Sequence, residues 1–482
     1  MLRLLSEYMS MHVQTKECRE LEKNLSFSSL PLRQELLNNL LSLNYHQMTP
    51  IQAQSLPIIL NKMDVIAQAQ TGSGKTLAFG IGLLQHLQTE LVSIQSLILC
   101  PTRELAEQVS QVLRRLARQL ANVKILNLSG GMPIRAQYDS LRHGAHIVVG
   151  TPGRILKHLL QNTLTLTHVH TVVLDEADRM LDMGFHDDIQ RILQYCPSSK
   201  QSLLFSATFT VPIKELAKAM MHQPQEIKIA EQNKVEDIKQ LCFAVNNQQE
   251  KYLLLKKILA HYQPSSALIF CNTKENTQEL TSALQRDGYS ACLLNGDLEQ
   301  FERDQAMIQF SNHSRQILVA TDVAARGLDI QELPTVINYD LAYESEVYLH
   351  RVGRTGRAGC QGIALTMTTS QDAERLAAIE ALMGKSLVWG EVDALIPLKM
   401  DSSTPKMVTL RLMAGRKDKI RPGDILGALT KEAGLKVDMI GKIDILTRHA
   451  YVAIDKYQAK IAYDHFNKGK IKGKKVGVAY ID

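Results

Sequence analysis

The stretch DVIAQAQTGSGKTLAFGIGLL (residues 64–84) decides how this chain folds. It opens as a short apolar run, passes through a glycine-rich polar turn, and continues as an apolar pattern with helical spacing. A strand that feeds a helix through such a turn is the opening unit of a parallel α/β sheet. Gly72 and Gly74 let the backbone wrap its N–H groups around a phosphate, and Ala69, Gln70, Thr71 and Ser73 complete the loop. Lys75 is placed to reach the β- and γ-phosphates of a nucleotide, and the Thr76 hydroxyl to hold Mg²⁺. Position 69 carries alanine where the pattern begins with glycine, a change that keeps the loop compact.

Outward from this unit, short apolar runs alternate with helical patterns. SLILC (96–100), HIVVG (146–150), TVVLDEAD (171–178), QSLLFSAT (201–208), SALIFC (266–271), QILVAT (316–321) and TVINYD (335–340) read as strands. Strands buried on both faces are continuous in this way, and helical crossovers between them imply parallel sheets. The pattern occurs twice around a polar gap near AEQNKVEDIK (230–239), which predicts two α/β domains. A second boundary near MDSSTPK (400–406) precedes a β-α-β-β-α-β order that predicts a small α+β module. The expected organisation is an N-terminal extension (1–24), domains at 25–232 and 233–399, and the module at 404–482.

TVVLDEAD places Asp175 and Glu176 at the C-terminal end of a strand, where open parallel sheets bind ligands. Asp175 is a candidate Mg²⁺ ligand, and Glu176 a candidate for positioning or deprotonating an attacking water. HRVGRTGR (350–357) sets arginines three apart in a glycine-rich segment, and guanidinium forks suit a phosphoryl group that gains charge.

Composition bounds the rest. The chain has 482 residues, 45% hydrophobic and 22% charged, as expected for a multidomain globular protein. Its seven cysteines are scattered without a CxxC pair, which points away from a disulfide framework or zinc site and toward a reducing cytoplasm. No apolar run is long enough to span a bilayer. MLRLLSEYMSMH at the start is interrupted by Glu7 and His12 and lacks a small-residue cleavage site, so it does not read as a signal peptide. Residues 401–482 hold 17 Lys+Arg against 9 Asp+Glu, net +8, and the preceding 400 residues hold 38 against 40, net −2. The positive charge belongs to the C-terminal module, which suggests a polyanion partner there.

Taken in order, the phosphate loop, DEAD, SAT and HRVGRTGR resemble the DEAD-box RNA helicase family over residues 27–391. The resemblance implies two RecA-like domains with ATP between them. By position it implies that Gln52 of MTPIQ reads the adenine edge, with Tyr45 and Phe27 near it. The family's usual Gly-Tyr is Asn44-Tyr45 here, and its usual first proline is Met48. Ser206 and Thr208 would couple the nucleotide to RNA, Arg354 and Arg357 would meet the γ-phosphate, His350 would neighbour the nucleotide, and Asp329 would contact the ribose. RNA would lie along Pro101, Thr102, Arg103, Gly130, Gly131, Thr151, Gly153 and Arg154 of the first domain. In the second it would meet Thr273, Gly296, Gln300, Arg303, Thr321 and Asp322. Such backbone and small-residue contacts hold sugar-phosphate without reading bases.

RPGDILGALT, IGKI and GKIKGKK make the C-terminal module similar to the RNA-binding domain of the DbpA-type helicases, a subfamily directed to large-subunit (23S) ribosomal RNA in ribosome assembly. The expected fold of the module is RRM-like. Its third strand, TRHAYVAI (447–454), matches the RNA-recognition pattern outright only at Ala450 and Val452. Basic loops, 415–421 and the closing lysines Lys470, Lys472 and Lys474, are therefore the expected RNA contacts. The alternative readings are a general RNA chaperone of the cold-shock DEAD-box type, a non-enzymatic RNA clamp and an ATP-driven DNA translocase.

Overall fold

The apolar runs form strands whose side chains are buried on both faces, flanked by helices that cover them. The computed structural model describes residues 25–69, 72–131, 133–229, 238–325, 333–356, 362–397 and 405–481. The chain divides into two units after Gln232.

The first unit is built on β1 (Val65–Gln68), β2 (Ser96–Leu99), β3 (Ile125–Leu128), β4 (Ile147–Gly150), β5 (Thr171–Asp175), β6 (Gln201–Ser206) and β7 (Gln225–Lys228). Their order is β3-β4-β2-β5-β6-β1-β7, and every pairing is parallel. β2, β4, β5 and β6 are buried throughout, which is why they read as unbroken apolar runs. Helix Arg103–Leu116 shows how the faces are covered. Thr102 caps it by accepting from the Leu105 N–H at 3.2 Å, and Leu105, Ala106, Val109, Leu113 and Leu116 form its buried stripe. It packs on helix Lys75–His86 at Gly80, where a Cβ would lie 2.9 Å from Leu116 Cδ1. A side chain there would require the Leu113 and Leu116 methyls to shift.

The second unit repeats the plan with β8 (Ile238–Ala244), β9 (Ala267–Cys271), β10 (Ala291–Leu294), β11 (Ile317–Thr321), β12 (Thr335–Asn338), β13 (Gly362–Thr368) and β14 (Val388–Trp389). Their order is β10-β11-β9-β12-β13-β8-β14, again parallel.

This unit also carries the C-terminal module: β15 (Met407–Leu412), β16 (Ile440–Ile445), β17 (Ala450–Asp455) and β18 (Val478–Tyr480), antiparallel in the order β16-β17-β15-β18. One face meets helices Pro422–Gly427 and Ala459–Lys468 over a core that includes Leu410, Leu412, Ile425, Val452, Ile454 and Phe466. The opposite face lies on helix Gln300–Ser311 and the turn after it. There Asn312 Nδ2 donates to Thr409 Oγ1 at 2.8 Å, and the Ser314 and Thr409 hydroxyls share a 2.6 Å bond. Lys442 Nζ donates to Ser311 Oγ at 3.1 Å. The Arg411 guanidinium stands 5.2 Å from the centre of the Phe301 ring, which also packs on His449.

Candidate nucleotide and RNA sites

In the first sheet β1 lies beside β6, and β6 beside β5, so three loops at the C-terminal strand ends converge. After β1, Gly72 and Gly74 take φ of 84° and 96°, a left-handed backbone that side chains resist, and Gly74 caps helix Lys75–His86. Lys75 is buried, and its Nζ donates to the Ala69 carbonyl oxygen at 2.8 Å, holding the ammonium inside the loop. Gln52 braces the same loop from outside. Its Oε1 accepts from the Thr49 N–H at 2.9 Å, and its Nε2 donates to the Gly74 carbonyl at 3.0 Å. Asn44 has φ of 61°, so asparagine serves where the family uses glycine, as the side chain best suited to that conformation. Phe27 and Met48 are buried in the core, whereas Tyr45 is exposed. Gln70, Thr71, Asp329 and Arg357 lie outside the described residues.

β5 ends at Asp175, which is 2% exposed. Burial pushes its carboxyl up to about 7, reinforced by Glu176 and opposed by Lys75. Glu176 adopts φ 54° and ψ 53°, and its carboxylate pairs with Arg179 Nη1 at 2.8 Å. Asp178, which the motif reading left without a role, ties this loop to SAT. Its Oδ2 accepts from the Ala207 N–H (3.0 Å), the Thr208 N–H (2.9 Å) and the Thr208 hydroxyl (3.2 Å). Ser206 ends β6, and its carbonyl accepts from the Ala69 N–H at 3.0 Å. Phosphate loop, acidic loop and SAT are thus one hydrogen-bonded assembly. A buried carboxylate near a lysine, with Thr76 beside that lysine in the first turn of helix Lys75–His86, is a donor set that fits Mg²⁺. That ion takes few protein oxygens and relies on phosphates and water for the rest.

β3, β4 and β2 are adjacent, and their C-terminal ends carry the expected RNA residues of this unit. Pro101, Thr102 and Arg103 follow β2, Gly130 and Gly131 follow β3, and Thr151, Gly153 and Arg154 follow β4. The Arg103 guanidinium lies against Gly130, where a Cβ would fall 2.8 Å from its Nε. Arg154 Nη1 donates to Gln137 Oε1 at 2.7 Å. Burial and the nearby Arg103 lower the Arg154 pKa.

The second unit repeats this placement at the ends of adjacent strands β9, β11 and β10. Thr273 caps helix Lys274–Arg286 by accepting from the Asn276 N–H at 3.1 Å. Thr321 closes β11, and Gly296 follows β10. Gln300 Nε2 donates to Asp304 Oδ1 at 2.9 Å, and Arg303 Nη1 to the Asn295 carbonyl at 3.2 Å. His350 is half-buried and Arg354 buried at the end of helix Ser345–Val352. Between them lies Arg351, which spacing alone did not single out. It is 1% exposed and forks onto Asp322, with Nε to Oδ1 and Nη2 to Oδ2 both at 2.6 Å. It also donates to Asn272 Oδ1 at 2.8 Å and to the Asp340 carbonyl. One guanidinium therefore ties together the residues flanking Thr273 and Thr321.

In the module, Lys470, Lys472, Lys474 and Lys475 are exposed. Ile471 and Lys474 pair across a two-residue turn in which Lys472 and Gly473 have φ of 53° and 75°. Lys472 Nζ bonds to Asp424 at 2.8 Å and to the Lys419 carbonyl at 3.0 Å, clamping this turn to the 415–424 loop. Tyr451, the aromatic residue of TRHAYVAI, is fully buried, with Gln305 and Asp304 beside it.

Residues 49–216 match the family described as DEAD/DEAH box helicase, 250–359 the helicase conserved C-terminal domain, and 409–479 the DbpA RNA binding domain. The chain is 47% identical over 438 residues to the ATP-dependent RNA helicase DbpA of Escherichia coli, covering 91% of this chain and 95% of that one. It is 43% identical over 356 residues to the DEAD-box ATP-dependent RNA helicase CshA of Geobacillus kaustophilus, covering 74% and 76%. Among solved structures it is similar to Saccharomyces cerevisiae Dbp5 bound to RNA and ADP BeF3, with TM-score 0.69, 31% identity, and 76% and 96% of the two chains covered. Two RecA-like parallel sheets, the assembled phosphate and acidic loops, and these matches together place the chain in the DEAD-box family of ATP-dependent RNA helicases, with the RNA-binding domain of the DbpA type.

Proposed function

We propose that this helicase remodels structured 23S ribosomal RNA during assembly of the large ribosomal subunit in the cytoplasm. The observation that carries this reading is the C-terminal module: residues 401–482 hold a net +8 against −2 for the rest of the chain, and residues 409–479 match the DbpA RNA binding domain. The likeness to CshA covers 74% of the chain, whereas the likeness to DbpA covers 91%, which favours this reading over a general RNA chaperone.

In the proposed cycle Lys75 and the backbone of residues 69–76 hold the phosphates, and Gln52 leaves its brace on Gly74 to meet the adenine. Phe27 and Tyr45 support that edge, Asp329 contacts the ribose, and His350 neighbours the nucleotide. Glu176 positions and deprotonates the attacking water, while Arg354 and Arg357 of the second unit stabilise charge on the transferring phosphoryl group. Asp175 and Thr76 would hold Mg²⁺, which neutralises phosphate charge when bound. Asp178, bonded to residues 207 and 208, passes the nucleotide state to Ser206 and Thr208. RNA backbone lies on the strand-end residues of both units, and the module selects the RNA through its exposed basic loops, including Lys470 and Lys474, with Lys472 shaping the turn that presents them.

The test is ATPase stimulation by a 23S fragment against a scrambled RNA of equal length, in full-length protein and in a K470A/K474A/K475A variant. Lysine substitution is preferable to truncation, because removing the module would uncover Phe301 and the helix beneath it. A lower half-stimulating concentration for the ribosomal fragment, raised by the lysine variant, supports the proposal. Equal stimulation by both RNAs in unmodified protein would leave a general RNA helicase.

A further inference from the structure

Helix Ile134–Arg142 of the first unit has a polar side chain as its one buried residue: Gln137, 5% exposed. An amide buried without partners is costly, and this one is bonded on both ends. Its Nε2 donates to the Ser129 carbonyl at 3.0 Å, just before Gly130-Gly131. Its Oε1 accepts from Arg154 Nη1 at 2.7 Å and faces His158 Nε2 at 3.0 Å. His158 is itself fully buried, with Nδ1 2.9 Å from the Thr163 hydroxyl and the Tyr138 ring edge-on at 5.3 Å.

The donor and acceptor roles fix one another. Oε1 is an acceptor only, so His158 carries its proton on Nε2 and donates it. Burial, helped by Arg154 and Lys157, lowers the His158 pKa to about 4, which keeps the ring neutral. A flipped Gln137 amide would turn its NH₂ toward two donors and its oxygen toward the Ser129 carbonyl oxygen. The Ser129 carbonyl, Arg154 and His158 together therefore lock the amide, and the amide links the Arg154 guanidinium to the turn that begins at Ser129. Arg103 packs against Gly130 of that same turn. Three segments separated in sequence are held in register by one side chain that belongs to none of the quoted motifs.

We propose that Gln137 and His158 are positioning residues for RNA binding: they pre-set Arg154 and the Gly130-Gly131 turn for the sugar-phosphate backbone of the bound strand. The proposal rests on the reading of Arg154 as an RNA contact. A guanidinium already held by its neighbour loses less side-chain freedom when a phosphate arrives, and that saving appears in affinity, not in the chemical step.

The experiment measures RNA-stimulated ATPase in full-length protein, giving the RNA concentration for half-maximal rate, kcat, KM for ATP and Tm. Gln137→Met should raise the half-maximal RNA concentration roughly tenfold, with kcat at saturating RNA and KM for ATP within about twofold. His158→Leu should do the same, whereas His158→Gln, which can return an N–H donor near the Nε2 position, should restore most of the loss. Combined with Arg154→Ala, Gln137→Met should add little, because both remove one coupled unit. Additive losses, or a fall in kcat and Tm with unchanged RNA dependence, would overturn the positioning role. An unchanged RNA dependence in Gln137→Met beside a raised one in Arg154→Ala would also overturn it while leaving the RNA reading intact. No effect of Arg154→Ala would defeat the RNA reading itself. If Gln137→Met does not accumulate as folded protein, the His158→Leu and His158→Gln pair decides the matter.

Discussion

Replacing Arg351 by methionine removes a buried cation and leaves the Asp322 carboxylate facing a side chain that cannot donate. Arg351 makes two 2.6 Å bonds to Asp322 and one of 2.8 Å to Asn272, and it also reaches the Asp340 carbonyl. Breaking a buried pair by deleting one partner costs about 3–5 kcal/mol, because the other charge stays behind. With a urea slope of about 3 kcal/mol/M for a unit this large, the midpoint should fall by roughly 1–1.7 M. The chain has one tryptophan, and Trp389 lies in β14 of the second sheet, so its fluorescence reports on this unit alone. Arg351→Lys should fall between, since an ammonium keeps the charge but cannot make the planar fork. RNA dependence should move as well: Asn272 and Asp322 adjoin Thr273 and Thr321, and both lose their common anchor. A midpoint within about 0.3 M of the unmodified protein would refute the reasoning. It would mean that Asp322 and Asn272 find other partners at no cost.

Glu176→Gln should retain ATP and RNA binding and lose hydrolysis by at least about 10²-fold, since an amide is near in shape but a poor base; loss of ATP binding in a fluorescent-nucleotide titration would argue for a structural role. The Asp175 carboxyl is raised to about 7 in the nucleotide-free protein, so below that pH a proton competes with Mg²⁺ for it. Mg-ATP affinity should therefore weaken as pH falls from 7.5 to about 6, more steeply than in Asp175→Asn, and calorimetry in two buffers should detect the proton released on binding. Equal pH slopes in the two proteins would contradict this. Gly130→Ala would place a methyl 2.8 Å from Arg103 Nε, so the guanidinium must move. RNA affinity by anisotropy should drop several-fold with Tm unchanged, and unaltered affinity would remove Arg103 from the RNA surface.

The strand ends were legible because strands buried on both faces leave unbroken apolar runs, and the phosphate loop because its glycines need conformations other residues resist. Parallel order then brings together residues as distant as Ala69, Asp175 and Ser206, which no local pattern contains. Where a side chain points depends on such distant partners. Arg351 sits in a quoted motif, yet its inward turn is set by Asn272 and Asp322, 79 and 29 positions away. Gln52 braces the phosphate loop through Gly74, a bond visible only after folding. The poor recognition pattern at residues 447–454 now has a physical cause: His449 and Tyr451 pack against helix Gln300–Ser311 instead of presenting an open stacking surface. Gln137 gave no signal at all, being one polar residue in a helix that reads as ordinary surface.

The seat of the C-terminal sheet also limits how this protein may be recombined. Its contact with Phe301, Ser311, Asn312 and Ser314 uses hydroxyls, an amide and one ring, each matched to a partner on the sheet. A chimera that joins residues 405–481 to a foreign helicase through a linker alone would tether the module without orienting it, and its RNA would be delivered at random angles. Transplanting those helicase residues along with the module, together with Gln309, whose Nε2 donates to the Ile481 carbonyl at 3.3 Å, would carry the seat of the sheet across with it.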